Sequence, residues 1–333
     1  MNEEVNSLND DVKENHLPQK ETPRVSKGNG AFSVGGQAII EGIMMRSPNR
    51  ISIAVRKPDD EIVVKGWHFE SLTKSNKILG IPLVRGIVNL GEMLYWGIKT
   101  LQDSAHIAMG ETEKNPPITK KILSALSMTL GLAAGVLLFA YLPLWIANLL
   151  GFREKPFLFN LLAGLVRVIL FLGYLIAISF MKDVRRLFQY HGAEHKTIHA
   201  FERGEPLTVE RVQKYSTFHP RCGTSFILIV AVMAIFLFAA FDGFVYLIWH
   251  FAPKPIVRLP FHLLLLPFLA GISYEILKIS DKLARKSSLG KIFVAPGLWI
   301  QKITTKQPDD SMVEVAIKSL LDSISEISIG TGK

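Results

Sequence analysis

The chain has 333 residues, is 49% hydrophobic and carries a formal charge of +9, with Cys222 as its one cysteine. That mixture excludes a disordered chain and does not suit an ordinary soluble enzyme. A lone cysteine excludes an intrachain disulfide and asks for no oxidising compartment.

Residues 1–31 are polar and charged, with no apolar stretch of the kind a signal peptide needs, so they are expected to form a disordered, solvated tail. Residues 32–121 are expected to form a cytoplasmic α+β region. Within it, ISIAVRKP and EIVVKGWHF flank a turn-forming Asp-Asp pair and predict a two-stranded hairpin. GGQAIIEGIMMRSP precedes the hairpin and sets the solitary carboxylate of Glu41 in an apolar stretch, either as part of a site or as a turn cap. In the following segment Leu83, Ile87, Leu90, Leu94, Ile98 and Leu101 recur at steps of three and four. They predict one stripe of an amphipathic helix, lying at a membrane surface or packed on a bundle.

Four apolar segments are long enough to cross a bilayer, which takes roughly 20 helical residues. They run from about Ile122 to Leu150, Phe157 to Met181, Phe226 to His250 and Val257 to Leu277, and the links GFREKP and FAPKPI join them in pairs. The expected fold is a mainly α membrane protein, with four transmembrane helices in two hairpins (122–181 and 226–278) and a small cytoplasmic α+β domain. The length of the first span leaves room for tilt or for a kink before Pro143. Lys182, Arg185, Arg186, Lys196, Arg203, Arg211, Lys214 and Arg221 crowd the central loop, 182–225, whereas each short link with its flanking residues has at most two basic residues. By the positive-inside rule the central loop and both termini face the cytoplasm of a multi-pass cytoplasmic-membrane protein. The same rule accounts for the basic charge without nucleic acid. The implied partners are membrane lipids, a membrane-protein partner and a second copy of the chain.

Two ionisable residues lie deep in the spans. Arg167 is about ten residues into the second and Asp242 about eight into the third, counted from the outer side, and these similar depths predict a pair with a structural or a transport role. Glu275 and Tyr274 fall near the cytoplasmic end of the fourth span, facing the histidine segment, while His250 and His262 are expected at the outer interface. Residues 279–333 form a C-terminal region. In it, Ser311 and Glu314 have capping-box spacing, and Val313, Ile317, Leu320, Leu321 and Ile324 form an apolar face in need of a partner surface.

The segment YHGAEHKTIHAFE, residues 190–202, carries the chemistry. On a helix His191, His195 and His199 occupy successive turns of one face with Glu194 beside it. His-x-x-Glu-His presents two imidazoles to a divalent metal and a carboxylate to its water, which the carboxylate can deprotonate. His219 and Cys222, two candidate ligands in FHPRCGTSF, can complete a closed structural site or leave a position open for catalysis. Zinc suits this donor set first. The plain alternative is a polar collar of histidines packed or hydrated at a membrane boundary.

These segments, with GGQAIIEGIMMRSP and PGLWIQKITTKQPDD, resemble the YqhQ-like bacterial membrane proteins over roughly residues 33–325. The resemblance implies a multi-pass cytoplasmic-membrane protein whose domain is of unknown function and described as a predicted metal-dependent enzyme. That description itself rests on positions matching His191, Glu194, His195, His199, His219 and Cys222. A metal-dependent hydrolase or transferase therefore stands beside a non-enzymatic scaffold or adaptor for translocation or quality control. A small oligomeric transporter using Arg167 and Asp242 is the third alternative.

Overall fold

The computed structural model describes residues 34–110, 118–220, 222–286 and 288–329, so the expected N-terminal tail lies outside the described residues. Four strands, β1 (Gly35–Ile39), β2 (Gly42–Arg46), β3 (Arg50–Arg56) and β4 (Ile62–His68), form an antiparallel sheet in chain order. The predicted hairpin is β3–β4. GGQAIIEGIMMR supplies a second hairpin, β1–β2, whose turn places Glu41 at φ +50°, in the left-handed region that a non-glycine residue rarely occupies.

Both faces of the sheet are covered. Alternate residues of a strand point to opposite sides, so Met44, Ile51, Ile53 and Val55 pack toward Met93 and Trp96, while Ile43, Met45 and Ala54 join a second core. A short α1 (Leu72–Ser75) leads to α2 (Val84–Ala108), which covers the first face; α6 (Lys182–Glu202) and α12 (Asp310–Ile329) cover the second. The predicted face of α12 is the one that packs, with Val313, Ile317, Leu320 and Ile324 buried and Leu321 half-buried. Its cap is Asp309, whose Oδ1 accepts from Met312 N–H at 2.9 Å, and Glu314 turns instead to Arg56 at 3.0 Å. The Ser311–Glu314 capping box is thus replaced by an aspartate cap two residues earlier.

The stripe on α2 behaves differently. Its small residues Gly86, Gly97, Thr100 and Ser104 face the protein, whereas Leu83, Leu90, Leu94 and Leu101 remain exposed. A Cβ on Gly86 would stand 2.9 Å from the Gly271 Cα, so the two glycines set a close helix crossing. Arg85 grips Glu275 in a two-bond ion pair at 2.7 and 2.5 Å, and this holds Glu275 on α2 rather than on the histidine segment.

Among the described residues three helical runs are long and apolar enough to cross a membrane: Ile122–Leu149, Pro156–Ser179 and Phe226–Trp249. The first comprises α3 (Ile118–Val136), a π-helical turn (Leu137–Tyr141) and α4 (Leu142–Leu149); the others lie in α5 (Pro156–Ser179) and α8 (Gly223–Trp249). The fourth expected span is two helices, α9 (Pro255–Leu264) and α10 (Leu266–Lys286), bent by 54°. Pro267 accounts for the break, because it cannot donate to the carbonyl four residues back. A further helix, α11 (Ser288–Thr304), packs against α8 and α10 on its return to the sheet domain.

Arg167 and Asp242 make no ion pair with each other. Pro143 has no N–H to offer the Phe139 carbonyl, and Arg167 Nε donates to that oxygen at 2.8 Å with its guanidinium over the Phe238 ring. Asp242 lies one turn beyond Phe238, about 6 Å along the helix, and takes Arg258 at 2.9 Å, Asn160 at 2.8 Å and His262 at 3.2 Å. His262 is therefore buried rather than interfacial, whereas His250 is exposed. Arg258 also donates to the Pro253 and Arg153 carbonyls, fastening together the links that follow α4 and α8.

Removing one partner of a buried ion pair strands the other charge, at a cost of about 3–5 kcal/mol. Asp242→Ala should therefore lower the thermal stability of detergent-solubilised protein well below that of Arg167→Ala, which leaves one carbonyl without its donor at about 1–3 kcal/mol. Equal losses in the two variants would contradict the pairing described.

Candidate functional site

The helix that carries the histidines is buried on nearly every side. From Tyr190 to Ala200, α6 is enclosed by the sheet, by α12, by the segment after α7 (Val209–Val212) and by the end of α11. Gly192 allows this closure, because a Cβ there would collide with the Lys306 carbonyl.

A polar helix buried this way needs an acceptor for each N–H. His191 Nδ1–H donates to the Thr304 carbonyl at 2.8 Å, and His195 Nδ1–H donates to the Thr217 carbonyl at 2.5 Å. A carbonyl can only accept, so both rings are held as the tautomer with a lone pair on Nε2. His191 Nε2 meets Cys222 Sγ at 3.2 Å, while His195 Nε2 is buried without a hydrogen-bond partner among the described residues. The ligand atoms of His191, His195 and Cys222 all lie within 4.8 Å of one another. Burial, followed by the nearby His191 ring, holds His195 well below its ordinary pKa, so the ring is neutral as a metal ligand must be.

His199 presents the opposite edge. Its Nε2–H donates to the Phe218 carbonyl at 2.8 Å, leaving the lone pair on Nδ1. His199, Glu202 and His219 form a second set whose ligand atoms lie within 4.8 Å of one another. The expected ligands thus fall into two sets rather than around one point. His219 is fixed at its backbone by Gln301, which accepts from its N–H at 2.8 Å and donates to its carbonyl at 2.9 Å.

Glu194 points from α6 toward β1. Its carboxyl takes the Gly36 N–H, and a Cβ at Gly36 would stand 2.9 Å from Oε1, so only glycine fits beneath it. Oε2 is buried with no hydrogen-bond partner among the described residues. Burial is the main cause that pushes this carboxyl up to about 8, opposed by His191 and reinforced by Cys222. Lys196 is also pushed down by burial and donates to the Gln213 carbonyl at 2.7 Å, where it holds the loop and offers nothing to either set. Glu41 stays outside both sets. It forms a two-bond ion pair with Arg186 and accepts from Tyr190 O–H at 3.3 Å, so it docks the first hairpin onto α6.

A family model described as "Protein of unknown function (DUF1385)" matches residues 81–326. The chain belongs to the DUF1385 family. "Uncharacterized protein YqhQ" of Bacillus subtilis (strain 168) is 36% identical over 314 residues, which cover 88% of this chain and 94% of that protein. No solved structure matches. The DUF1385 match takes in both ligand sets, while Gly36 and Glu41 lie before it.

Gly36, Glu202, Gln301, Thr304 and Thr217 were not expected at the site. Glu202 stands seven residues after His195, and its spacing of three from His199 carried that signal. The carbonyls of Thr217, Phe218 and Thr304 leave no mark in a sequence, because any residue can supply them.

The Glu194 carboxyl has a folded pKa raised above the ordinary value of 4.5, so the folded state keeps a proton that the unfolded chain releases. Its contribution to stability is therefore complete below pH 4.5 and is lost as pH rises from there through about 8. In metal-free protein Glu194→Gln, which cannot ionise, should match wild type at pH 4.5 and exceed it in melting temperature by several degrees at pH 8. A constant gap across that range would show that the carboxyl does not titrate in the window.

Proposed function

We propose that the chain is a multi-pass cytoplasmic-membrane protein that holds a divalent metal, zinc first, at its cytoplasmic face and acts as a metal-dependent hydrolase or transferase. One observation carries this reading. Two imidazoles are fixed by backbone carbonyls so that their Nε2 lone pairs converge with Cys222 Sγ in a buried space, and one of those nitrogens lacks a hydrogen-bond partner among the described residues. Metal-bound histidines ordinarily donate their other ring N–H in this way, and a bare nitrogen in a dry site is costly to keep for packing alone.

When bound, a zinc-class ion would supply Lewis acidity at His191, His195 and Cys222. Around it the chain provides a proton carrier. Glu194 Oε2, poised near neutral pH and with its partner oxygen anchored by Gly36, can take up or release a proton within the enclosed space. The apolar stripe of α2 supports a position at the membrane surface, with Leu90 and Leu94 directed into the lipid boundary. A scaffold using α12 as its docking element is less well supported, because that helix is buried on its own sheet.

Detergent-purified protein should contain zinc by mass spectrometry. His195→Ala and Cys222→Ser should each lower that content at least tenfold, whereas Glu194→Gln should retain it. A reporter inserted after Gly204 should lie in the cytoplasm. Metal content unchanged in His195→Ala would refute the centre, and an external reporter would refute the threading.

A further inference from the structure

A second group of metal-ligating side chains lies one turn further along the same helix. The geometry points to a second, separate divalent-cation site formed by His199, Glu202 and His219, open to solvent and exchangeable where the first is enclosed. It goes beyond the proposed centre and does not require that centre to hold metal.

Distance along α6 separates the two sites. His191 and His199 are eight residues apart, about 12 Å of helix rise, whereas nitrogen ligands sit about 2.0–2.1 Å from zinc. One ion cannot be shared by both rings. Cys222 and His219, three residues apart, divide accordingly: the thiol meets His191, and the imidazole stands 3.5 Å from Glu202 through Nε2 and Oε2. Ring centroids of His199 and His219 are 4.6 Å apart, and those of His195 and His219 are 5.6 Å apart, so the two sets adjoin without sharing a member.

The second set is built to hold its position. His199 is fixed through Phe218, and the Tyr215 ring stacks beside it at 6.3 Å with an interplanar angle of 18°. Gln301 binds both backbone polar groups of His219. Two imidazoles and one carboxylate are the donor set of many open metal sites, whether occupied by zinc, iron or another first-row cation. The Glu202 side chain is 33% exposed and that of His219 5%, so the group is walled on one side and reachable by water on the other.

Cobalt(II) distinguishes the two sites by their ligands, because a thiolate gives an intense sulfur-to-metal charge-transfer band that nitrogen and oxygen donors lack. Metal-free, full-length protein in detergent should bind two equivalents, one bringing the charge-transfer band and the other adding only weak ligand-field absorption. Glu202→Gln and His199→Ala should each lose the second component and keep the charge-transfer band, which also reports that the fold survives. Cys222→Ser should do the reverse. Two components that both persist in Glu202→Gln and His199→Ala, or a single equivalent in wild type that carries the charge-transfer band, would overturn the second site. A missing charge-transfer band with ligand-field absorption lost in Glu202→Gln would uphold it while refuting the buried centre.

Discussion

An imidazole can leave water only if each of its N–H groups finds an acceptor, and α6 takes His195 into the interior and half-buries His191 and His199 on either side of it. Each ring donates to a backbone carbonyl, at Thr304, Thr217 and Phe218. Those carbonyls belong to two segments far apart in sequence, so the demand of the buried helix fixes where the end of α11 and the loop before α8 must lie. The same bonds select the tautomer of each ring, and with it the nitrogen left facing Cys222 or Glu202. Packing and chemistry thus follow from one set of hydrogen bonds.

The apolar bundle meets a similar demand. Pro143 frees a carbonyl inside a helix, and Arg167 satisfies it; Asp242 is balanced by Arg258, Asn160 and His262. The Asp242 carboxylate is balanced by Arg258, whose further contacts bind the links α4–α5 and α8–α9 to each other. The bundle's polar residues therefore act as fasteners at the end where α4 meets α5, while the candidate ligand sets gather at the opposite end, where α6 leaves α5.

The long apolar runs, the β3–β4 hairpin, the packing face of α12 and the spacing of the histidines were legible in the sequence. The first hairpin was not, because burial on both faces erases the alternation that marks a strand: Ile43, Met44 and Met45 are all buried. Pro296 and Gly297 hid α11, since both residues ordinarily break a helix, and with it the contributions of Gln301 and Thr304. Matching Arg167 with Asp242 by depth failed because an arginine can be satisfied by a backbone oxygen, which no charge pattern records. His199 and His219 were legible as ligands, but their division from the other set depends on how the chain after α7 folds back, and spacing alone does not encode that.

The sheet is covered by a helix from the far end of the described chain, with Arg50 bound to Asp322 across 272 positions of sequence. During synthesis β1–β4 emerge from the ribosome long before α12, and the apolar runs are made in between. The face of the nascent sheet that carries Ile43 and Met45 therefore stays bare until that last described helix has been made. Removing α12 would accordingly bare both that face of the sheet and the side of α6 that packs on the same core.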